Sequence, residues 1–137
     1  MALNGRFDHM DIYVGDLARS IAFWGPLLEL LGFRKAADRP TAKSWRGAGA
    51  EIFFVQTEPD FVTQGYHRKR IGLNHLAFAV RDRGELQSTL EHVRSAGARL
   101  LYEGGIEETK TQYRLFFEDP DRIKVEVVAA RVGEGSA

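Results

Sequence analysis

From Phe7 to Val14 the chain alternates. Met10, Ile12 and Val14 fall on one side of an extended strand, and His9, Asp11 and Tyr13 fall on the other. Gly15-Asp16 closes that strand, and Asp16 is placed to cap a helix. The period then changes. Leu17, Ile21, Trp24, Leu28 and Leu31 recur at helical spacing and predict one buried stripe. Gly25-Pro26 predicts a kink or a restart within it, because proline has no amide hydrogen for the interior bond. Gly32 predicts the end of the helix. Three shorter strands are expected next, at residues 33–36, 43–46 and 51–56, with "GAGA" (47–50) as the turn between the last two.

After a polar stretch the same order returns. Residues 74–80 predict a strand, Asp82 and Glu85 have the spacing of a capping box, and Leu86, Leu90 and Val93 form a helical stripe reaching Gly97. Strands are expected at 99–102, 113–117 and 123–128, with "DPD" (119–121) as a turn. The tail "RVGEGSA" reads as frayed. The chain thus reads βαβββ twice: module one at 7–57, a linker at 58–71, and module two at 72–130, together one domain over 1–137. The offset from His9 to His75 is 66 residues, and it also carries Val14 to Val80 and Asp16 to Asp82. The repeat is one of pattern rather than of identity.

In register, Met10, Ile12 and Val14 match Leu76, Phe78 and Val80, the faces expected under the helices. His9 and His75 then share the opposite face, each near the start of its module. If the modules pair their sheets, these faces line one concave cleft. In "IKVEVVAA", Glu126 alternates with Val125 and Val127 and joins the face away from the helices. A carboxylate there is costly unless it is paired or holds a cation.

Composition narrows the chemistry. Nineteen basic residues balance nineteen acidic ones, so the strong positive field of a general nucleic-acid binder is missing. A small molecule is the expected partner, with neither nucleic acid nor membrane. There are no cysteines, so any metal site must use nitrogen and oxygen ligands. No run has the length of a membrane span and the N-terminus lacks the apolar core of a signal peptide, so the expected location is cytoplasmic. One histidine in a strand is ordinarily a hydrogen-bonded packing residue. Two at equivalent repeat positions, with a carboxylate on the same face, make a three-ligand set suited to Fe(II), Mn(II), Ni(II), Co(II) or Zn(II). Tyr113 is a candidate catalytic proton donor, and Arg114 follows it on a strand expected to border the cleft. Tyr13, Trp45 and Phe54 are candidates for an apolar wall. Glu107 and Glu108 are expected in a loop over the site.

The duplication, "GDLARSIAFWGPLLELLGF", "NHLAFAV" and the closing "FFEDPDRIKVEVV" resemble the vicinal oxygen chelate superfamily, which includes glyoxalase I, extradiol dioxygenases, fosfomycin-modifying enzymes and bleomycin-binding proteins. The resemblance covers nearly the whole chain. It implies an α+β fold of two tandem βαβββ modules forming a mixed-sheet cleft. It implies one divalent metal ion (Zn, Ni, Mn, Co or Fe) on His9, His75 and Glu126, the last also a catalytic carboxylate. It implies a metal-dependent enzyme acting on a small substrate chelated through vicinal oxygens, with a glyoxalase-like lyase or isomerase nearest. The alternatives are a drug- or metabolite-binding protein and an extradiol-type dioxygenase. Aligning "EIFFVQ" with "IKVEVV" puts Phe54 where glyoxalases carry a fourth ligand; Gln56, two residues on, is a substitute or a substrate contact. A homodimer is expected by the same resemblance.

Overall fold

The computed structural model describes residues 1–132, so most of the stretch expected to fray, from residue 133 on, lies outside the described residues. The chain divides into two compact units, Met1–Gly65 and Tyr66–Ala137. Each carries one mixed sheet, of four and of five strands, with one long helix on it. This is the expected α+β architecture.

In the first unit, β1 (His9–Val14) leads into α1 (Leu17–Leu30), followed by β2 (Arg34–Arg39), β3 (Ala42–Gly47), β4 (Ala50–Gln56) and a single turn, α2 (Pro59–Val62). The strand order is β1-β4-β3-β2; β1 and β4 run parallel, and the other pairs are antiparallel. Asp16 caps α1 by accepting from the Arg19 N–H at 3.0 Å. At the far end Gly32 takes φ +93°, and the Phe33 N–H returns to the Leu28 carbonyl at 2.8 Å, closing a left-handed glycine cap. Between β3 and β4, Ala48 and Gly49 both have positive φ, 51° and 78°, as a two-residue hairpin turn requires.

The expected restart at Gly25-Pro26 does not occur; α1 is one element through Pro26. The neighbouring residues explain why. Trp24, Leu27 and Leu28 are fully buried, and their burial offsets the one hydrogen bond that proline forfeits. Gly25 serves packing. A Cβ there would come 3.0 Å from the Trp45 ring, so glycine lets helix and sheet approach closely.

The second unit comprises β5 (Leu76–Val80), α3 (Arg83–Ser95), β6 (Arg99–Leu100), β7 (Glu107–Glu108), β8 (Gln112–Glu118) and β9 (Lys124–Ala130). Its order is β5-β9-β8-β6, with β7 also pairing β8. Asp82 caps α3 by accepting from the Glu85 N–H at 2.9 Å, and Glu85 accepts in return from the Arg81 N–H at 2.8 Å. Leu86, Leu90 and Val93 pack with Leu115, Phe117, Val125 and Val127 as the core. Asp119 shapes the β8–β9 turn by accepting from the Asp121 and Ile123 N–H groups, both at 2.8 Å.

Two expectations need correction here. The strand expected over 99–102 ends at Leu100, because Tyr102 takes φ +58° and turns the chain. Glu107 and Glu108 are not in an open loop. They pair with Arg114 and Tyr113 as the short strand β7. Among the described residues, no helix is long and apolar enough to cross a membrane.

Candidate functional site

Strand alternation sets up the site in the second unit. Val125, Val127 and Ala129 of β9 are buried, so Lys124, Glu126 and Val128 point to the other face. Glu126 lies between Ala77 of β5 and Phe116 of β8. His75 immediately precedes β5. Its Nε2 is 3.0 Å from Glu126 Oε1, and its Nδ1 is 2.6 Å from Asn74 Oδ1. The Glu126 side chain is only 13% exposed, so its charge is partly withdrawn from water.

Both ring nitrogens of His75 therefore face oxygen acceptors. A neutral imidazole has one N–H and can donate to only one of them. With the N–H on Nδ1 and given to Asn74, Nε2 and Glu126 Oε1 would together offer one nitrogen and one oxygen donor to a cation. A metal-binding histidine is commonly held at its second ring nitrogen by an oxygen acceptor, as Asn74 holds Nδ1 here. Imidazole nitrogen and carboxylate oxygen are donor types that a divalent ion of the zinc-to-iron series takes, and the pair supplies two of them.

The first unit repeats half of this motif. His9 opens β1 and is exposed; its Nδ1 is 2.8 Å from Asp8 Oδ2. In each unit, then, the residue before the histidine holds Nδ1 through a side-chain oxygen. The hydrogen bond that His9 donates to the Asp8 carboxylate raises the His9 pKa above its usual 6.5; desolvation opposes it, and the charges of Asp8, Asp11 and Glu51 add to it. Among the described residues, no group of three or more His, Asp or Glu side chains gathers as a metal cluster; His75 and Glu126 are a pair.

The remaining candidates separate by face. Arg114 shares the face of Glu126. Its guanidinium lies 5.5 Å from the centre of the Phe116 ring and 3.5 Å from Glu107, and its Nε is buried without a hydrogen-bond partner. Tyr113, one residue earlier, points the other way. It pairs with the buried Ala129 and lies under the Arg83 guanidinium at 5.6 Å, on the helix side. It is therefore corrected from proton donor to a residue of the helix–sheet layer. Tyr13 is 66% exposed on the face of β1 that carries His9.

Trp45 and Phe54 are corrected in the same way. They are 2% and 0% exposed, in the core of the first unit, where Phe54 stacks on Trp24 at 5.2 Å. Gln56 is likewise committed to the framework: its Oε1 accepts from the Leu17 N–H at 2.8 Å, and its Nε2 donates to the Gly15 carbonyl at 2.9 Å. The register explains the misplacement of Phe54. Glu126 pairs with Ala77, and the repeat equivalent of Ala77 is Asp11, which pairs with Phe53. Phe53, not Phe54, occupies the position of Glu126. Either residue is a phenylalanine, so the first unit supplies no carboxylate there.

Two residues beside the His75–Glu126 pair were not singled out from sequence: Asn74 and Phe116. Asn74 was detectable, since it occupies the repeat position of Asp8. Phe116 depends on the register of β8 against β9.

A family model of the glyoxalase/bleomycin resistance protein/dioxygenase superfamily matches residues 6–127. The chain is 38% identical to YqjT, an uncharacterised protein of Bacillus subtilis, over 88% of this chain and 96% of that one. It is 30% identical to a probable lactoylglutathione lyase of Synechocystis, over 88% and 92%. A crystal structure of a candidate glyoxalase from Bacillus halodurans superposes with a TM-score of 0.84 at 39% identity, covering 92% of this chain and 96% of that one. With the duplicated βαβββ pattern, its two mixed sheets and this match over most of its length, the chain belongs to the glyoxalase/bleomycin resistance protein/dioxygenase superfamily.

Proposed function

We propose that the protein is a divalent-metal-dependent enzyme that binds a small substrate through two vicinal oxygens, with a glyoxalase-like lyase or isomerase activity. One observation carries the reading: His75 Nε2 and Glu126 Oε1 stand 3.0 Å apart while Asn74 holds the other ring nitrogen. His75 and Glu126 would hold the ion, and we propose the same ligand role for His9 on the repeat alone. Bound there, a divalent ion supplies Lewis-acid polarisation of the substrate oxygens.

The chain's own residues do the rest. Asn74 fixes the tautomer and orientation of His75. Ala77 and Ala79 keep side-chain bulk off the face beside Glu126. Arg114 offers a cation on that face. Glu126 is a catalytic candidate in its own right, since a carboxylate oxygen not engaged by a ligand can take a proton from a substrate carbon.

The test is a substrate panel on protein loaded in turn with Zn(II), Ni(II), Co(II), Mn(II) and Fe(II). Turnover of a hemithioacetal, lost in Glu126→Gln, supports the lyase reading. Oxygen uptake with catechols and Fe(II) or Mn(II) would move the assignment to ring-cleaving oxygenation. Stoichiometric metal with no turnover of any panel member would favour a binding protein.

A further inference from the structure

Tyr102 is a bulky residue held at φ +58°, a backbone region that non-glycine side chains rarely occupy. Such outliers persist where the surroundings enforce them, and they concentrate at functional positions. The turn carries the Tyr102 ring edge-on to Phe116, with centroids 5.2 Å apart, yet leaves Tyr102 61% exposed. Between these rings sits Lys124. Its Nζ lies 4.9 Å from the centre of Tyr102 and 4.8 Å from that of Phe116, and it donates a hydrogen bond to the Tyr102 hydroxyl.

Three features make this more than packing. First, Lys124 has no carboxylate partner among the described residues. Its cross-strand neighbour Glu118 is instead engaged by Arg68, Arg99 and Arg122 at 3.9, 3.4 and 3.1 Å. Second, the Tyr102 oxygen accepts from Lys124, so its own hydrogen is directed elsewhere and is available to a ligand. Third, Lys124 is two residues from Glu126 on the same face of β9, and Phe116 is directly opposite Glu126. Arg114, further along β8, is paired with Glu107 at 3.5 Å and leaves Lys124 as the cation beside the Tyr102 hydroxyl.

We propose that Tyr102 and Lys124 form a subsite for an oxyanion group, a carboxylate or a phosphate, on the molecule that His75 and Glu126 address. The inference rests on the proposed function for the purpose of the subsite, though not for its existence. Lys124 supplies charge and free N–H donors, Tyr102 an O–H donor, and Phe116 an apolar floor beneath the rest of the ligand.

The test is a two-dimensional ¹H–¹⁵N NMR titration of the metal-free full chain with inorganic phosphate and, separately, acetate, at constant ionic strength. Saturable shifts centred on the amides of Tyr102, Phe116 and Lys124 are expected with at least one of the two anions. The anion that binds more tightly identifies the class. Lys124→Met should weaken binding roughly tenfold, the scale of one lost charge-assisted hydrogen bond. Lys124→Arg should restore most of it, and Tyr102→Phe should weaken it severalfold with the spectrum otherwise intact. Zn(II) titration of the same wild-type protein is read separately from the anion titration, so a failed metal site and a failed anion subsite give different results. No saturable shift with either anion, or equal binding by a folded Lys124→Met protein, would overturn the proposal.

Discussion

The imidazole of His75 is held between two oxygens, Asn74 Oδ1 at 2.6 Å and Glu126 Oε1 at 3.0 Å. The Asn74 side chain engages the ring at Nδ1. Asn74→Ala should therefore lower the affinity for a divalent ion about 10–100-fold, the usual effect of losing such a supporting bond. Calorimetric titration with Zn(II) or Ni(II) measures it. An affinity equal to wild type would mean that ring orientation does not depend on Asn74.

Phe54 tests the distinction between core and site. It is fully buried against Trp24 and Trp45. Phe54→Ala should cost about 3–5 kcal/mol in stability, as for other large-to-small core changes. Urea unfolding reads this directly. A cost within experimental error would indicate a residue lining an open surface.

Gln56 anchors the start of α1 by taking the Leu17 N–H and donating to the Gly15 carbonyl. Gln56→Ala leaves these groups without their partner and should destabilise the fold by about 1–2 kcal/mol. Metal affinity, measured in the same variant, should remain that of wild type. Loss of metal affinity without loss of stability would return Gln56 to the site.

The surface of the first unit offers a pH test. Hydrogen bonds from Lys43 and then Lys35 lower the Asp38 carboxyl from its ordinary 3.8 to about 2. A depressed folded-state value means that the contribution is present above about pH 4 and fades as pH falls through about 2. Asp38 is well exposed, so solvent screening keeps the stability effect small. Carbon-13 NMR of the carboxyl should show a midpoint near 2 in wild type, rising toward the ordinary value in Lys43→Met. An unshifted midpoint in wild type would show that the two lysines do not engage it in solution.

Much of this was legible in the chain. The alternation over 9–14 and 123–129, the capping aspartates Asp16 and Asp82, and the repeat offset linking His9 to His75 all follow from local periodicity and turn chemistry. Those signals act over a few residues, and the structure keeps them. What escaped depends on partners distant in sequence. Whether Tyr113 or Arg114 shares the face of Glu126 depends on register against β9, and a slip of one residue inverts the answer. The same slip put Phe54 in place of Phe53. Gly25-Pro26 predicts a kink or a restart because local propensity cannot weigh the burial of Trp24 and Leu27. The subsite at Tyr102 and Lys124 joins residues 22 apart in sequence through a left-handed turn, which no hydrophobic pattern encodes.

His75 and Glu126 are proposed to hold a divalent metal ion. Elemental analysis of untagged protein, reconstituted with Zn(II), Ni(II), Co(II), Mn(II) or Fe(II) and then dialysed, tests it most directly when His75→Ala and Glu126→Gln are carried in parallel. The account predicts near one ion per chain in wild type and a large loss in both variants, with each variant still folded. Wild-type protein that retains no metal under any of these conditions, or variants that retain it fully, would contradict it.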